Sequence, residues 1–141
     1  ALWSKKQKDL TKPFFLLSKK DVGENSKQKI LKVKNVLLKN KADYLLVTAP
    51  ENVAWILNIR GHDSSFSPIP NARLLINNKG NIDLYSQPKK VEKIKKILSK
   101  KVGFYDEDML ERKLKVMWNK NIWLDALSCS IHYKNLLRKK K

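Results

Sequence analysis

Residues 44–49 read YLLVTA, a short apolar run set between Asp43 and Pro50. Its length suits a strand rather than a helix, and its four successive apolar side chains leave neither face polar. A strand of that kind is stable only where both faces of its sheet are covered. Helical patterns stand on both sides of it in the chain, so the run calls for helices packed above and below a sheet. A chain of 141 residues is the size of one domain and buries enough apolar surface to need no covalent staple.

The rest of the pattern agrees. Residues 1–22 look irregular, with Pro13 and the apolar stretch FFLLS at 14–18, and read as a linker from a preceding domain that ends in a docking strand. From 23 onward, GENSKQKILKVKNVLLKNK places Ile30, Val33 and Leu37 at helical spacing, with Asn25 or Ser26 as the cap. Pro50 suits the first turn of a helix PENVAWILN, because its missing N–H has no partner there in any case. Within that helix Trp55 is expected to face inward beside Val53 or Ile56. ARLLIN (72–77) and IDLYS (82–86) flank NKGN and predict an antiparallel hairpin. A helix over PKKVEKIKKILSKK, with Val91, Ile94 and Leu98 on one face, then leads to a strand VGFYD. EDMLERKLKVMWN reads as a helix, NIWLDA as a strand, and SIHYKNLLRKK as a last helix that Ser130 can cap. The predicted class is α/β, a mixed β-sheet flanked by helices on both faces, occupying residues 23–141.

Charge narrows the function less than its size suggests. The net charge is +18, but of 31 basic residues only Arg60, Arg73, Arg112 and Arg138 are arginine. Arginine is the bidentate reader of guanine and phosphate, so a specific nucleic-acid binder would be richer in it. The lysines are spread over several segments, and the chain is rich in Asn and Ile, as composition bias would make it. A solvated surface accounts for the charge, with a stand-alone module that binds nucleic acid or another polyanion as the alternative. The single cysteine, Cys129, excludes a disulfide within the chain and fits a reducing compartment. No apolar run is long enough to span a membrane. The missing initiator Met predicts a segment of a longer protein.

Little here looks catalytic. Metal sites need clustered His, Cys, Asp or Glu, whereas His62 and His132 are isolated. Cys129 has His132 three residues on but no third partner, and reads as a small buried residue. Asp106, Glu107 and Asp108 stand at a predicted helix start, where acidic groups favour the dipole and cap the helix. No phosphate-binding glycine motif is present.

The remaining stretch, PENVAWILNIRGHDSSFSPIP at 50–70, ends in a long polar loop, and such loops carry function more often than cores do. TAPENVAWILNIRGHDSSFSPIPNARLLIN resembles the Xaa-Pro aminopeptidases of the three-domain type. Ala54, Trp55, Leu57, Asn58, Arg60, Gly61, Asp63 and Pro68 carry the likeness, and the flanking helix and hairpin agree with it. IWLDALSCSIHYKNLL resembles that family's Val-Asp-Pro strand and following helix more loosely. The chain departs from the family in His62, where Ser or Gly is usual, and in its lysine excess.

The resemblance implies the second domain of such an enzyme, with the creatinase N-terminal fold and its ribonuclease H-like motif. Catalysis would lie in a separate pita-bread domain, absent from this chain, holding two divalent metal ions, usually manganese. The parent would be a cytoplasmic, homo-oligomeric exopeptidase that removes the residue preceding proline, with proline-containing peptides as its substrates. This chain would then hold no metal and no catalytic residue, and would do no chemistry alone. Its roles would be shaping the substrate entrance and making domain or subunit contacts, with Asn58, Arg60, His62 and Asp63 facing the catalytic domain or the substrate. Two other roles stay open: a scaffold for dimerisation, and the polyanion-binding module. For Arg60 the plain alternative is a surface residue in a helix stop, with Gly61 as the left-handed cap.

Overall fold

The computed structural model describes residues 12–98 and 100–138. Of the segment read as a linker, residues 1–11 lie outside the described residues, as do the last three positions of the C-terminal lysine run and Ser99 of the predicted helix at 88–101. Strand β1 is Phe15–Leu16 and helix α1 is Ser26–Lys39. Asn25 caps α1 in a capping box: its side chain accepts from the Gln28 N–H at 3.0 Å, and Gln28 accepts from the Asn25 N–H at 3.1 Å. Strand β2 (Tyr44–Val47), helix α2 (Pro50–Leu57) and strand β3 (Ile59–Arg60) follow. The predicted hairpin is β4 (Arg73–Asn77) and β5 (Ile82–Tyr85). Gly80 takes a φ of 84° in its turn, where a side chain would be strained. The chain closes with α3 (Pro88–Lys95), β6 (Val102–Tyr105), α4 (Met109–Val116), β7 (Ile122–Leu124) and α5 (Ile131–Arg138).

The main sheet has the order β6-β5-β4-β2-β7. Its two outer pairs, β5 with β6 and β2 with β7, are parallel, and β2-β4-β5 run antiparallel. All five of its strands fall on the apolar runs predicted above. Alternation along β4 sends Leu74 and Ile76 to one face and Leu75 to the other. On the first face they meet Ile56 and Leu57 of α2 and Val91 and Ile94 of α3, with Ile30 and Val33 of α1 packed against the same core. On the second, Leu46, Leu75 and Tyr85 meet Leu110 and Leu114 of α4, joined by Tyr133 and Leu137 of α5. The sheet is therefore mixed and covered on both faces. Cys129 is buried in the second core, and burial pushes its thiol pKa up.

The docking strand at 14–18 pairs inside this unit. Phe15 lies opposite Arg60 and Leu16 opposite Ile59, antiparallel. Phe14 is fully buried in the first core and its N–H donates to the Lys90 carbonyl at 2.7 Å. Residues 14–17 thus belong to the packed domain.

Two expectations need correction. Trp55 does not face inward; it is 54% exposed, while Val53, Ala54, Ile56 and Leu57 are buried. At about 100° per residue those four share one arc of the helix, and position 55 falls opposite its centre. The second concerns Asp106–Asp108. Asp108 stands at the start of α4 but its side chain makes no capping bond. Asp106 instead accepts from the Asp108 N–H at 3.3 Å, closing a small turn.

The two aromatic and aliphatic neighbours on α2 should respond differently to truncation. Ile56→Ala opens a cavity in the core and is expected to cost about 2–5 kcal/mol. Trp55→Ala removes a half-exposed ring and is expected to cost below about 1.5 kcal/mol. Urea denaturation of both variants measures the difference; equal losses would return Trp55 to the core.

Candidate functional site

The loop that follows α2 is built on a left-handed residue. Asn58 has φ 54° and ψ 34° and ends the helix, its N–H donating to the Ala54 and Trp55 carbonyls. The left-handed stop is therefore Asn58 and not Gly61, which corrects the simple helix-stop expectation. Asparagine tolerates this conformation better than most residues with a Cβ.

Asn58 is 8% exposed, and both ends of its side-chain amide are bonded. The amide oxygen accepts from Lys29 Nζ at 2.6 Å, and the amide nitrogen donates to the Glu24 carbonyl at 3.0 Å. Lys29 also donates to the Trp55 carbonyl at 2.7 Å and lies 4.4 Å from the Trp55 ring centroid. This lysine is only 4% exposed, and burial, opposed by the nearby Glu24 carboxylate, lowers its pKa. A cation here meets the carbonyl end of α2, where the helix dipole favours positive charge.

Beyond Asn58 the chain alternates inward and outward. Ile59 is fully buried, Arg60 half-buried, Gly61 buried and His62 exposed. Gly61 is fixed by close approach: a Cβ there would lie 2.8 Å from Pro70 Cα and 3.1 Å from the Phe14 ring. Arg60 spends Nη1 on the Ala54 and Ile59 carbonyls, at 3.2 and 2.9 Å. Its Nε and Nη2 make no hydrogen bond among the described residues. Phe15 lies across from Arg60 and its ring packs 5.4 Å from that of His62. Arg60, His62 and Phe15 therefore share an outward face.

Asp63 turns back in. Its carboxylate accepts from Lys90 Nζ at 2.6 Å through Oδ1 and from the Asn71 N–H at 2.6 Å through Oδ2. The two side chains are 8% and 11% exposed, so this ion pair is largely dry. It ties the far end of the loop to α3, while Gly61 N–H to the Pro68 carbonyl at 3.0 Å ties the near end. Between these ties Phe66 is fully exposed. Of the four residues singled out in the sequence, His62 is exposed and Arg60 is half-buried with Nε and Nη2 unpaired among the described residues, and Asn58 and Asp63 hold the loop in shape. Sequence reasoning missed Lys29 and Lys90, which look like the other lysines, and the exposed Phe15 and Phe66.

Elsewhere, His132 Nε2 lies 3.0 Å from Glu111 Oε2, and Lys115 pairs with the same carboxylate at 2.5 Å. Hydrogen bonds from Lys115 and then His132 lower the Glu111 pKa. Among the described residues no three His, Cys, Asp or Glu side chains converge on one point, so the donors present do not fit a metal centre. No described helix is long and apolar enough to cross a membrane.

Breaking the buried pair leaves a charge without its partner. Asp63→Ala and Lys90→Ala are each expected to cost about 3–5 kcal/mol, and the double variant Asp63→Asn/Lys90→Met less than the two single costs together. Urea denaturation at low and high salt checks this; single losses below about 1 kcal/mol, or ones abolished by salt, would show a solvated pair.

Comparison with known proteins gives the lineage of the chain. The Creatinase/Prolidase N-terminal domain family matches residues 5–141. Xaa-Pro aminopeptidase 1 of Dictyostelium discoideum is 38% identical over 55 residues, which is 39% of this chain and 9% of that protein. The chain thus spans about a tenth of the length of the curated relatives it matches. Among solved structures, the X-prolyl aminopeptidase of Caenorhabditis elegans, described as a cytosolic enzyme with a di-nuclear active site, superposes with a TM-score of 0.69 at 24% identity, over 74% of this chain and 17% of that one. The creatinase/prolidase N-terminal domain of an X-Pro dipeptidase from Streptococcus pyogenes gives 0.54 at 13% identity, over 79% and 86%. At those identities the structures speak for the fold, and the match over residues 5–141 speaks for the lineage: this chain belongs to the creatinase/prolidase N-terminal domain family.

Proposed function

We propose that this chain is the noncatalytic domain on the N-terminal side of the catalytic domain of a Xaa-Pro aminopeptidase, and that the face formed by Arg60, His62 and the Phe66 loop meets the catalytic domain or the substrate. The single observation that carries the reading is the clamped loop. Its interior groups, Asn58, Gly61 and Asp63, are consumed in holding it, while Arg60 keeps Nε and Nη2 unused and Phe66 stands fully exposed. A clamped base that carries a guanidinium with donors to spare and an exposed ring is the form a recognition surface takes. A guanidinium binds a carboxylate or a carbonyl of a neighbouring domain through parallel donors, which a lysine cannot reproduce.

In this reading the parent releases the residue preceding proline from peptides, works in the cytoplasm and assembles as a homo-oligomer. Its metal ions, manganese or another divalent pair, belong to the catalytic domain in this reading; among the described residues of this chain no three ligand side chains come together. Such a pair would supply an activated water and an electrophile for the scissile carbonyl. The part of Arg60 and its loop is to orient, not to transfer a proton.

The test uses the full-length enzyme. Arg60→Ala is expected to lower kcat/KM about 10- to 100-fold, the equivalent of one charge-assisted hydrogen bond or a bidentate pair. Arg60→Lys should recover little of it. Arg112→Ala, on α4, should behave as wild type. Unchanged kinetics and unchanged oligomeric state in Arg60→Ala would remove the role assigned to this face.

A further inference from the structure

On the first sheet face, between α1, the segment after β1, the β4–β5 turn and the end of α3, lies an open groove of about 780 Å³. Its lining is largely aliphatic, with Leu17, Val22, Ile30 and Leu57 among its side chains. Leu31 and Ile97, at its margin, are 53% and 68% exposed. Lys19, Lys27, Lys34 and Lys79 stand around it, and no carboxylate lines it. None of these four lysines forms an ion pair among the described residues.

Apolar lining and cationic rim together describe the occupant: apolar on one face, with several carboxylates at its margins. Lys27 and Lys34 both lie on α1, seven residues apart, so the rim charges extend over about 10 Å at the rise of an α-helix. One lipid head group meets only part of such a rim, whereas a polypeptide segment with Asp or Glu along its flanks meets all of it. In the reading of this chain as one domain of a longer polypeptide, a segment of that polypeptide is tethered beside the groove, and tethering raises its effective concentration.

We infer that this groove docks an acidic, amphipathic segment from another part of the parent polypeptide. The inference rests on the reading of this chain as one domain of a larger aminopeptidase. Docking covers Leu31 and Ile97 and pairs the rim lysines, and so fixes the domain against its neighbour on a surface that Arg60 does not line.

Amine acetylation followed by mass spectrometry tests it, on the 141-residue chain and on the full-length enzyme. Lys27, Lys34 and Lys79 are expected to react at least about five-fold more slowly in the full-length enzyme. Leu31→Asp with Ile97→Asp, both at exposed positions, should restore the fast reaction there. Equal rates in the two proteins would overturn the inference, as would protection that survives the double substitution. Protection of the 141-residue chain by palmitate, or protection that grows with its own concentration, would assign the groove to a lipid anion or to a second copy and overturn it equally. Because the Arg60 variants probe a different surface, slow lysines with normal Arg60→Ala kinetics would sink only the functional reading, and the reverse pattern only this one.

Discussion

Leu74, Leu75 and Ile76 follow one another in β4, and none is more than 1% exposed. Successive side chains on a strand point to opposite faces, so these three need cover on both sides of the sheet at once. That requirement shapes the rest of the molecule. It sets α2 and α3, with α1 packed beside them, over Leu74 and Ile76, and α4 with α5 over Leu75. Burying one such side chain contributes about 1.5–3 kcal/mol, so a helix layer missing on either face would undo the domain. The loop after α2 is anchored by this arrangement, since both of the helices it touches, α2 and α3, are held by the first core.

The loop is anchored by polar groups that the cores exclude from water. Lys29 joins α1 to the carbonyl end of α2 through Trp55 and Asn58, and Lys90 joins α3 to Asp63. A hydrogen bond in such surroundings adds modestly when made and costs about 1–3 kcal/mol when one partner is lost. The joints therefore serve as geometric constraints more than as sources of net stability. They hold the segment that carries Arg60 and the exposed Phe66 at both of its ends.

The net charge of +18 takes on a different meaning once the lysines are placed. Lys29 and Lys90 are structural and buried. Lys32 and Lys115 pair with Glu24 and Glu111 on the surface, where such pairs contribute little. Others ring an apolar groove. One residue type thus fills several roles, and the composition could not separate them.

What the sequence determined alone was short in range. The apolar runs placed all five strands of the main sheet, because four successive apolar residues can be satisfied only in a buried strand or helix. A cap at Asn25 or Ser26 and the turn at Gly80 were legible because caps and turns depend on neighbours three or four positions away; the structure chose Asn25. The site residues were legible only as a cluster in one loop. Which of them point outward was decided by tertiary structure, through the pairing of β3 with β1 and the ion pair across 27 positions from Asp63 to Lys90. Trp55 shows the same limit: residues 53–57, VAWIL, are apolar at every position, so no polar side marks the outer face of α2, and only docking on the sheet chose it. Strand order had no local signal either, since β7 reaches its place beside β2 from nearly 80 residues away.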